Sequence, residues 1–460
     1  MQQVMWFRRD LRTTDHPALV RAVAEAAGEA VLPLYIHVPE PWGRLGAPAR
    51  RYLSDSLTAL RADLGGLHVR VGDPAEVLTG LAGELGPLTV HVTAAHTPGG
   101  QARDDRARAA LQASGSTLVA SGSNYAVAPG SVRKPDGSAY RVFTPFHRAW
   151  LEHDWPQPLA RPAPIRLLGL PGGTDVPGEP VAGTGPGTGT DHDGPITAVP
   201  PAGERAAWER WVEFRGSGLA DYGTLRDRAD LPATSRMSIP LRWGELHPRS
   251  LLAGLDPDRD RRFVAELAWR EFYADVLFHN PDSTTANLNP AYDRMVHDTG
   301  PAADEAFEAW TRGRTGFPFV DAGMRQLRAE GWMHNRVRMV VASFLVKDLH
   351  LPWWRGEREF MRWLIDGDPA SNAHGWQWVA GSGTDAAPYF RVFNPVLQGL
   401  KFDPDGAYVR RYVPELAHLA GTAAHEPWRV LDGYAHGYPE PLVDHGEERD
   451  EALRRYAAIK

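Results

Sequence analysis

Val4-Met5-Trp6-Phe7, a short apolar run near the start of the 460-residue chain, is the first of five such runs that decide the fold of the N-terminal part. The other predicted strands are residues 30–38, 68–71, 88–92 and 117–120. Stretches with helical periodicity separate these runs, and strands that alternate with helices predict a parallel sheet covered on both faces. Such folds hold ligands beyond the carboxyl ends of their strands, so we expect a ligand at that edge.

The predicted helices between these strands are residues 16–27, 49–64, 74–84 and 101–113. Asp15 is a candidate N-cap for the first helix, because its side chain can accept a bond from an unpaired backbone N–H, and Pro17 lies in the first turn. We therefore expect residues 1–130 to form a doubly wound α/β domain.

Residues 131–203 have a different character. Glycine and proline are frequent in residues 160–202, as in Leu170-Pro171-Gly172-Gly173, and such a composition does not sustain a helix or a packed core. We expect a long interdomain linker here. From residue 204 to 460 the pattern is helical, which predicts a nearly all-α second domain. Its main predicted helices are residues 204–215, 261–278, 302–311, 319–330, 335–347 and 357–366.

The composition is that of an ordinary globular protein, with 43% hydrophobic and 23% charged residues. The net charge of −7 argues against a surface covered in positive charge, but a local basic patch is enough to contact nucleic acid. The absence of cysteine excludes disulfides, thiolate metal sites and cysteine nucleophiles. Because neither a signal peptide nor a run of about 18 apolar residues is recognisable, we expect a soluble, cytoplasmic protein.

Four large side chains share one face of the predicted helix at 261–278. Glu266, Trp269, Arg270 and Tyr273 lie at positions i, i+3, i+4 and i+7. An acid, two aromatic rings and an arginine suit a wet cavity that stacks flat rings. The same spacing suits a salt bridge with the two rings packed beneath it, and the spacing alone leaves both interpretations open.

Two further segments combine polar groups in a way that suits a ligand. In one, Asn335 and Met339 share a helix face with Arg338 beside them, although a capped helix start with a basic turn has the same pattern. In the other, Asp366-Gly367-Asp368 and Asn372 offer acceptors to a ligand ring, although a surface turn fits equally well. The second segment lacks the spaced ligands and the closing glutamate of a calcium loop.

The segment Thr234-Ser235-Arg236-Met237-Ser238 places three hydroxyl groups around an arginine, ahead of a helical run that we predict from Trp243. These groups suit phosphate oxygens, and they equally suit ordinary helix capping. The chain also holds 16 tryptophans, many of them between Trp310 and Trp378. Clustered indole rings form a core or relay single electrons, and the sequence does not separate these two uses.

Together these segments resemble the photolyase and cryptochrome family, in particular the class I bacterial cyclobutane pyrimidine dimer photolyases. The resemblance covers most of residues 1–150 and 205–420 and is strongest from Gly331 to Leu400. Its other segments are Trp6-Phe7-Arg8-Arg9-Asp10-Leu11-Arg12 and residues 234–238, 266–273 and 316–325.

The resemblance implies an antenna-chromophore domain over residues 1–130 and a helical domain over residues 204–460 that binds FAD and the DNA lesion. It implies light-driven repair, in which excited reduced FAD passes an electron to a pyrimidine dimer flipped out of UV-damaged DNA. The alternative is a blue-light-sensing cryptochrome that acts through partner binding. Asn335 and Met339 stand where (6-4) photolyases have a His pair, which favours a cyclobutane dimer, and Asn372 is typical of repair enzymes.

The resemblance also assigns roles to individual residues. Asn372 faces the reactive ring nitrogen of the flavin, and Arg338 and Asp366 form an ion pair beside the isoalloxazine. The other implied FAD contacts are Tyr222, Thr234, Ser235, Arg236, Met237, Ser238, Gly367 and Asp368. The implied catalytic residues are Glu266, Trp269, Asn335, Met339 and Asn372. The implied DNA contacts are Arg226, Glu266, Trp269, Arg270, Tyr273, Asn335, Arg336 and Gln398.

The photoreduction relay of the family is altered in this chain. Trp376 and Trp353 match its two inner members, whereas the position of the outer tryptophan holds Gly300. Either Tyr292 or a nearby tryptophan replaces the outer member, or the relay is truncated.

The antenna pocket also departs from the usual pattern, around residues 96–101. Arg50 and Asp104 remain candidate pocket residues, and we expect 8-hydroxy-5-deazaflavin there rather than a folate. The expected partner is UV-damaged DNA containing pyrimidine dimers. We expect a monomer, with no bound metal and no membrane association.

Overall fold

A computed structural model describes residues 1–178, 199–388 and 391–459. These residues fall into two compact units. The first unit consists of residues 1–178, 199–217 and 235–281. The second unit consists of residues 218–234, 282–388 and 391–459.

The first unit is built on a five-stranded sheet. Its strands are β1 (Gln2–Phe7), β2 (Val31–His37), β3 (His68–Val71), β4 (Leu88–Val92) and β5 (Thr117–Ala120). All neighbouring strands are parallel, and their order is β3-β2-β1-β4-β5. The chain first moves to one side of β1 and then to the other, which confirms the predicted doubly wound sheet. The point at which such folds bind ligands lies at the carboxyl ends of β1 and β4.

Burial explains why the central runs form strands. Val4, Met5, Trp6 and Phe7 are all buried, and β4 is buried along its whole length. A strand that is apolar on both faces needs cover on both faces, and a parallel sheet with helices on each side provides it.

Helices account for the remaining regular structure of both units. In chain order they are α1 (Pro17–Glu25), α2 (Pro39–Arg44), α3 (Ala47–Leu64), α4 (Pro74–Leu85), α5 (Pro98–Ala113), α6 (Phe143–His153), α7 (Glu204–Ser217), α8 (Tyr222–Leu225), α9 (Ser238–Trp243), α10 (Pro248–Leu252), α11 (Arg261–His279), α12 (Pro301–Thr311), α13 (Pro318–Glu330), α14 (Asn335–Ser343), α15 (Trp353–Trp363), α16 (Pro369–Ala380), α17 (Pro395–Phe402), α18 (Ala407–Tyr412) and α19 (His445–Ala458). The predicted helix at 335–347 is divided, because α14 continues as a π-helix over Phe344–Asp348.

The first helix is capped by His16 rather than by Asp15. The Nδ1 atom of His16 accepts a hydrogen bond from the Leu19 N–H at 3.2 Å. Asp15 has a φ of +52°, and its buried carboxylate accepts bonds from Arg249 at 2.5 Å and from Ser250 at 3.0 Å. The predicted cap is wrong because this carboxylate binds α10 instead of the start of its own helix.

The predicted long linker over residues 131–203 is not confirmed. Helix α6 lies inside this range, and its side chains Phe143, Phe146 and Trp150 are buried. Their spacing of three and four residues is the helical signal in this segment. Residues 179–198, which include the most glycine-rich part of the predicted linker, lie outside the described residues.

The helices that follow this segment do not all belong with the C-terminal helices. Helices α7, α9, α10 and α11 belong to the first unit. Buried carboxylates explain this placement, since Glu204 on α7 accepts bonds from the Thr13 and Thr14 N–H groups at 2.6 and 3.0 Å. Glu245, after α9, accepts a bond from the Tyr52 hydroxyl at 2.5 Å. Pairings between residues so distant in sequence leave no trace in local periodicity.

The second unit is helical, and none of its described residues forms a strand, which confirms the predicted all-α character. Its core is an apolar cluster that includes Trp310, Phe344 and Trp376 and lies among helices α13, α14 and α16. In the part of the chain that the structure describes, no helix has the length and apolar character needed to cross a membrane.

Candidate functional site

The first group of candidate residues lies on α11, in the first unit. Glu266, Trp269, Arg270 and Tyr273 share one face of this 19-residue helix, and all four are half-buried. Leu267, on another face, is buried in the unit. The predicted face is therefore neither an open solvent surface nor an apolar core.

Trp269 is held flat by a neighbouring ring. Phe143 of α6 stacks on it with a centroid distance of 3.8 Å and an interplanar angle of 8°. Tyr273 lies one turn further along α11, with its ring centroid 5.4 Å from that of Trp269. Phe143 lies in the predicted linker and was not among the candidate residues, yet it fixes the orientation of the indole.

Arg270 makes its contacts within the first unit. Its guanidinium donates to the backbone carbonyls of Asn124 at 3.1 Å and Leu241 at 3.2 Å. It also lies 4.5 Å from the ring centroid of Tyr125. A guanidinium has five N–H donors, and the two carbonyls do not occupy all of them. The predicted DNA contact of Arg270 therefore depends on the remaining N–H groups.

Glu271 is a buried carboxylate that sequence reasoning missed. It accepts hydrogen bonds from the N–H groups of Ala126 at 2.5 Å and Val127 at 3.1 Å, and from Trp150 Nε1 at 2.6 Å. Burial raises the pKa of Glu271, and these hydrogen bonds oppose the rise. The carboxylate joins α6 and the segment at 126–127 to the helix that carries the candidate residues.

The segment from Thr234 to Ser238 leads into α9, which begins at Ser238 and ends at Trp243, where the sequence predicted a helix to begin. The Ser235 hydroxyl accepts a bond from the Met237 N–H at 3.2 Å, and Arg236 has a φ of +53°. Met237, the residue before the helix, makes no side-chain cap. One of the three hydroxyl groups therefore stabilises the turn itself.

The predicted antenna residue Asp104 is buried on α5, the helix that follows β4. Arg8, directly after β1, donates to its carboxylate at 2.5 Å, and Arg103 donates at 2.8 Å. The two guanidinium groups lie 5.0 and 5.4 Å from the ring centroid of Trp6. Arg50, the other predicted antenna residue, is half-buried in the first turns of α3.

In the second unit, the predicted ion pair is present. Arg338 of α14 donates to the two carboxylate oxygens of Asp366 at 2.8 and 3.1 Å. Its Nε donates to the Met333 carbonyl at 2.8 Å. The side chain of Asp366 is only 2% exposed, so this charge-assisted pair is fixed in orientation.

Asn335 and Met339 lie one turn apart on α14, Asn335 exposed and Met339 half-buried. Arg336 donates to Asp227 at 2.9 Å, and its guanidinium lies 4.6 Å from the ring centroid of Phe402. It also contacts the Met339 sulfur at 3.7 Å. The predicted face thus presents an amide and a thioether, and Arg336 supports the thioether.

The segment after Asp366 enters helix α16. Asp368 caps this helix, accepting a bond from the Ser371 N–H at 3.0 Å. Asn372 lies one turn later, and its Nδ2 donates to the backbone carbonyl of Glu357 at 3.0 Å and to Glu357 Oε1 at 2.9 Å. Glu357 was missed because it lies on another helix, 15 residues earlier, and no local pattern connects it with Asn372.

The second unit has polar atoms that fit a flavin. The Nε1 atom of Trp376 is buried and has no hydrogen-bond partner, and neither hydrogen bond of Asn372 uses Oδ1. Buried polar atoms of native proteins are almost always paired, so the indole N–H of Trp376 points to an acceptor on a ligand, and Asn372 Oδ1 can accept from a donor on it. An isoalloxazine ring carries both kinds of group. The residues present therefore fit the cofactor that the resemblance implies.

Three other candidates lie in the second unit. Tyr222 is buried at the start of α8, and the Arg226 guanidinium lies 5.5 Å from its ring centroid. Gln398 is half-buried on α17, next to Leu397, which is 61% exposed.

Trp376 and Trp353, the predicted relay residues, are both 2% exposed. The ring centroid of Trp376 lies 5.0 Å from that of Phe360 and 6.1 Å from that of Trp310. The ring of Trp353 contacts the half-buried Trp354, with a centroid distance of 5.9 Å.

Gly300 supplies no ring where the family has its outer tryptophan. It precedes α12 with a φ of +86°, in the left-handed region that favours glycine. Tyr292 and Tyr456 line a cleft with Trp353, but the ring contact of Tyr292 is with Tyr456, at 6.1 Å. The sequence offered Tyr292 or a nearby tryptophan as a replacement for the outer member of the relay. Of these, it is a tryptophan, Trp354, whose ring contacts Trp353.

Comparisons with known proteins give two family matches. Residues 3–164 match the family model described as DNA photolyase, and residues 263–458 match the model described as FAD binding domain of DNA photolyase. The deoxyribodipyrimidine photo-lyase of Agrobacterium fabrum is 40% identical to this chain, over 99% of the chain and 98% of that protein.

Two solved structures are similar over nearly the whole chain. A bacterial class III photolyase from Agrobacterium tumefaciens has a TM-score of 0.89 and 37% identity, covering 99% of this chain and 97% of its own. A cryptochrome from Synechocystis has a TM-score of 0.86 and 26% identity, covering 98% of both chains.

Proposed function

The chain belongs to the DNA photolyase family, which confirms the resemblance in its sequence, and we propose that it is a deoxyribodipyrimidine photo-lyase that repairs cyclobutane pyrimidine dimers with light. The observation that carries the proposal is the ion pair of Arg338 with the buried Asp366, in the same unit as Asn372. The resemblance assigns these residues to the flavin. A full-length relative named as this enzyme favours repair over light sensing.

FAD is the cofactor, in keeping with the match of residues 263–458 to an FAD-binding domain. When bound and reduced, FAD supplies one electron on excitation by light and takes it back, so repair has no net redox change. Arg338 and Asp366 hold the flavin ring, and Asn372 faces its reactive nitrogen. The other residues that we assign to FAD are Tyr222, Thr234, Ser235, Arg236, Met237, Ser238, Gly367 and Asp368.

Glu266 and Trp269 bind the lesion. A dimer is already poorly paired, so flipping it out of the duplex costs less than flipping a normal base pair. Trp269 offers one face of its ring for stacking, while Phe143 holds the other face. Glu266 offers a carboxyl group for hydrogen bonds to the polar edge of the dimer. These hydrogen bonds stabilise the dimer when it receives charge. Asn335 and Met339 keep the lesion-binding role that the resemblance implies.

Local positive charge is needed for DNA binding, since the net charge of the chain is −7. We assign this positive charge to Arg226 of the second unit and to Arg336, whose guanidinium is shared with Asp227, and we assign an uncharged DNA contact to Gln398. Trp376 and Trp353, followed by Trp354, relay electrons through the second unit during photoreduction.

For the second chromophore we propose 8-hydroxy-5-deazaflavin at the carboxyl edge of the sheet. Arg50 lies in the first turn of α3, which follows β2, and Asp104 of α5 accepts a bond from Arg8, directly after β1, which places both toward this edge. Burial lowers the pKa of His96, which also follows β4, to about 4, so its ring is neutral at pH 7. Extraction of the bound chromophore and its absorption spectrum test this proposal, and recovery of a folate would contradict it.

The repair activity is tested with a UV-irradiated oligonucleotide. Purified, reduced protein is expected to remove dimers under blue light and to leave them unchanged in the dark. An oligonucleotide that carries a (6-4) photoproduct is the matched control, and we expect no repair of it. Flavin-containing protein that leaves cyclobutane dimers intact in the light would contradict the proposal and favour the blue-light sensor.

A further inference from the structure

Three nearly parallel rings form a stack in the first unit. Phe143 of α6 lies against Trp269 of α11, with a centroid distance of 3.8 Å and an interplanar angle of 8°. His147, one turn further along α6, stacks on Phe143 with a centroid distance of 5.3 Å and the same angle of 8°. Phe143 is thus the ring that joins His147 to the indole assigned to the lesion.

Other contacts fix the edges of this stack. The buried ring of Phe272 meets Phe143 edge-on at 5.8 Å and Trp269 edge-on at 5.6 Å. Helix α6 is itself tied to α11, because Trp150 Nε1 donates to the buried carboxylate of Glu271 at 2.6 Å. A ring that is held on one face and along one edge cannot turn freely. The plane of the indole is therefore set before any ligand arrives.

His147 is a residue whose surroundings do not favour stability. Its Nε2 atom is buried and has no hydrogen-bond partner among the residues that the structure describes. Burial also lowers the pKa of His147, which favours the neutral ring at pH 7. A buried polar atom without a partner destabilises the fold, and an apolar side chain at this position would remove that cost. Such departures from good packing are expected at functional sites, so the flat ring is the useful feature of His147.

We infer that Phe143 and His147 are positioning residues that hold the Trp269 indole in one plane and so make the site selective for a flipped-out dimer over undamaged DNA. The inference rests on the proposed function, in which Trp269 stacks on the dimer. Phe143 and His147 act through the indole and do not touch the dimer in this account.

The selectivity follows from the cost of ordering a side chain. An indole that must be immobilised on binding loses conformational freedom at that moment, whereas an indole that is already fixed does not. Binding of undamaged duplex comes from phosphate contacts, which do not use the indole. Loss of the stack should therefore weaken binding of the dimer and leave binding of undamaged DNA as it was.

The test measures the affinity of the purified, FAD-containing protein in the dark for an oligonucleotide with one cyclobutane dimer and for the same undamaged sequence. Phe143→Leu removes the flat ring, and Phe143→Tyr keeps it. We expect Phe143→Leu to lower the ratio of damaged to undamaged affinity about fivefold or more, and Phe143→Tyr to stay within about twofold of the wild type. A wild-type ratio in Phe143→Leu, or equal losses in both variants, would overturn the inference.

Variants of two other α6 residues separate positioning from stability. His147→Leu is expected to lower the affinity ratio about threefold without lowering the free energy of unfolding in urea, and His147→Phe is expected to keep the ratio. Phe146→Leu is the control, since the ring of Phe146 is fully buried and contacts Tyr140 and Phe272. It should lower stability and leave the ratio unchanged. A wild-type ratio in His147→Leu, or a ratio that simply follows stability, would overturn the inference.

A double-mutant cycle tests whether Phe143 acts through the indole. In a Trp269→Ala background, Phe143→Leu is expected to cause no further loss of selectivity, because no indole remains to be held. An undiminished further loss in that background would overturn the positioning role. If Phe143→Leu does not yield folded protein with bound FAD, Phe143→Met serves the same test, because its flexible side chain also lacks a flat face.

These outcomes are distinct from failure of the proposed function. A wild-type protein that binds damaged and undamaged oligonucleotides equally would contradict the function itself. A wild-type protein that prefers the dimer, together with a Phe143→Leu variant that keeps the full preference, would contradict this inference alone.

Discussion

Glu266 and Glu271 lie on the same helix, and their surroundings give them different functions. Glu271 is buried, and its carboxylate is occupied by two backbone N–H groups and an indole N–H. Glu266 is half-buried on the face that also carries Trp269. A buried and fully bonded carboxylate stabilises the fold, whereas a half-buried one beside an aromatic ring remains suited to a ligand.

Replacing Glu266 by alanine is expected to lower the repair yield without a matching loss of cofactor. The variant loses the carboxyl group that we propose as a hydrogen-bond partner of the dimer, so we expect the number of dimers repaired per photon to fall about tenfold or more. Bound FAD, measured from the flavin absorbance per protein, is expected to stay within about twofold of the wild type. Parallel losses of repair and FAD would reduce Glu266 to a structural residue.

Trp353→Phe is expected to slow photoreduction of bound flavin and to spare repair by enzyme that has been reduced beforehand. Phenylalanine keeps the packing but is much harder to oxidise than an indole. The rate of flavin bleaching under blue light with an external reductant measures the effect. Trp363→Phe, on the same helix and equally buried, is the matched control. An unchanged rate in Trp353→Phe would remove this residue from the relay.

The burial of Glu357 is expected to make the free energy of unfolding depend on pH. Its pKa rises from 4.5 to about 7 on burial, so the folded chain holds the proton more tightly than the unfolded chain. The stability that this group contributes is fully present below pH 4.5 and is lost as the pH rises to about 7. Relative to Glu357→Gln, the wild type is expected to lose about 3 kcal/mol of unfolding free energy between pH 4.5 and 7.5. Urea unfolding of both proteins measures this, and a difference that does not vary with pH would contradict it.

At the scale of elements, α11 owes its position to carboxylates that pair with distant backbone. Glu271→Ala leaves the N–H groups of Ala126 and Val127 and the indole of Trp150 without their buried acceptor. We expect a loss of about 3 kcal/mol in the free energy of unfolding, measured in urea. Glu213→Ala, at an exposed position on α7, is the control and should change stability by less than about 0.5 kcal/mol. Equal stabilities of the two variants would show that the hydrogen bonds of Glu271 contribute nothing to the free energy of unfolding.

Elements with a local signal were predictable from sequence. The strands at 68–71, 88–92 and 117–120 have the predicted bounds, because short apolar runs between turn residues suffice to define them. The helix predicted at 261–278 ends one residue later in the structure. Helix α6 was assigned to a linker because the segments after it are rich in glycine and proline, although its own apolar spacing is helical.

Contacts between distant elements were not predictable in this way. The resemblance supplied the pairing of Arg338 with Asp366, but nothing local joins Glu357 to Asn372 or Phe143 to Trp269. Such pairs are set by how helices pack, and periodicity within one helix carries no information about the residue opposite. The predicted cap Asp15 was wrong for the same reason, since its partner Arg249 lies far along the chain.

At the scale of the whole molecule, the chain combines a doubly wound sheet with a helical unit, and its two family matches cover parts of both. The sheet edge carries a cluster of Asp104 with two arginines, and the helical unit carries the residues assigned to the flavin. We therefore expect the protein to repair pyrimidine dimers in the light and to leave them unchanged in the dark.

The wavelength dependence of dimer repair tests this account most directly. Purified protein is illuminated at a series of wavelengths with an irradiated oligonucleotide, and dimers repaired per incident photon are plotted against wavelength. We expect the plot to follow the absorption of the bound reduced flavin and any second chromophore, and to fall to zero in the dark. Repair that proceeds equally without light, or that is absent at every wavelength the bound flavin absorbs, would contradict it.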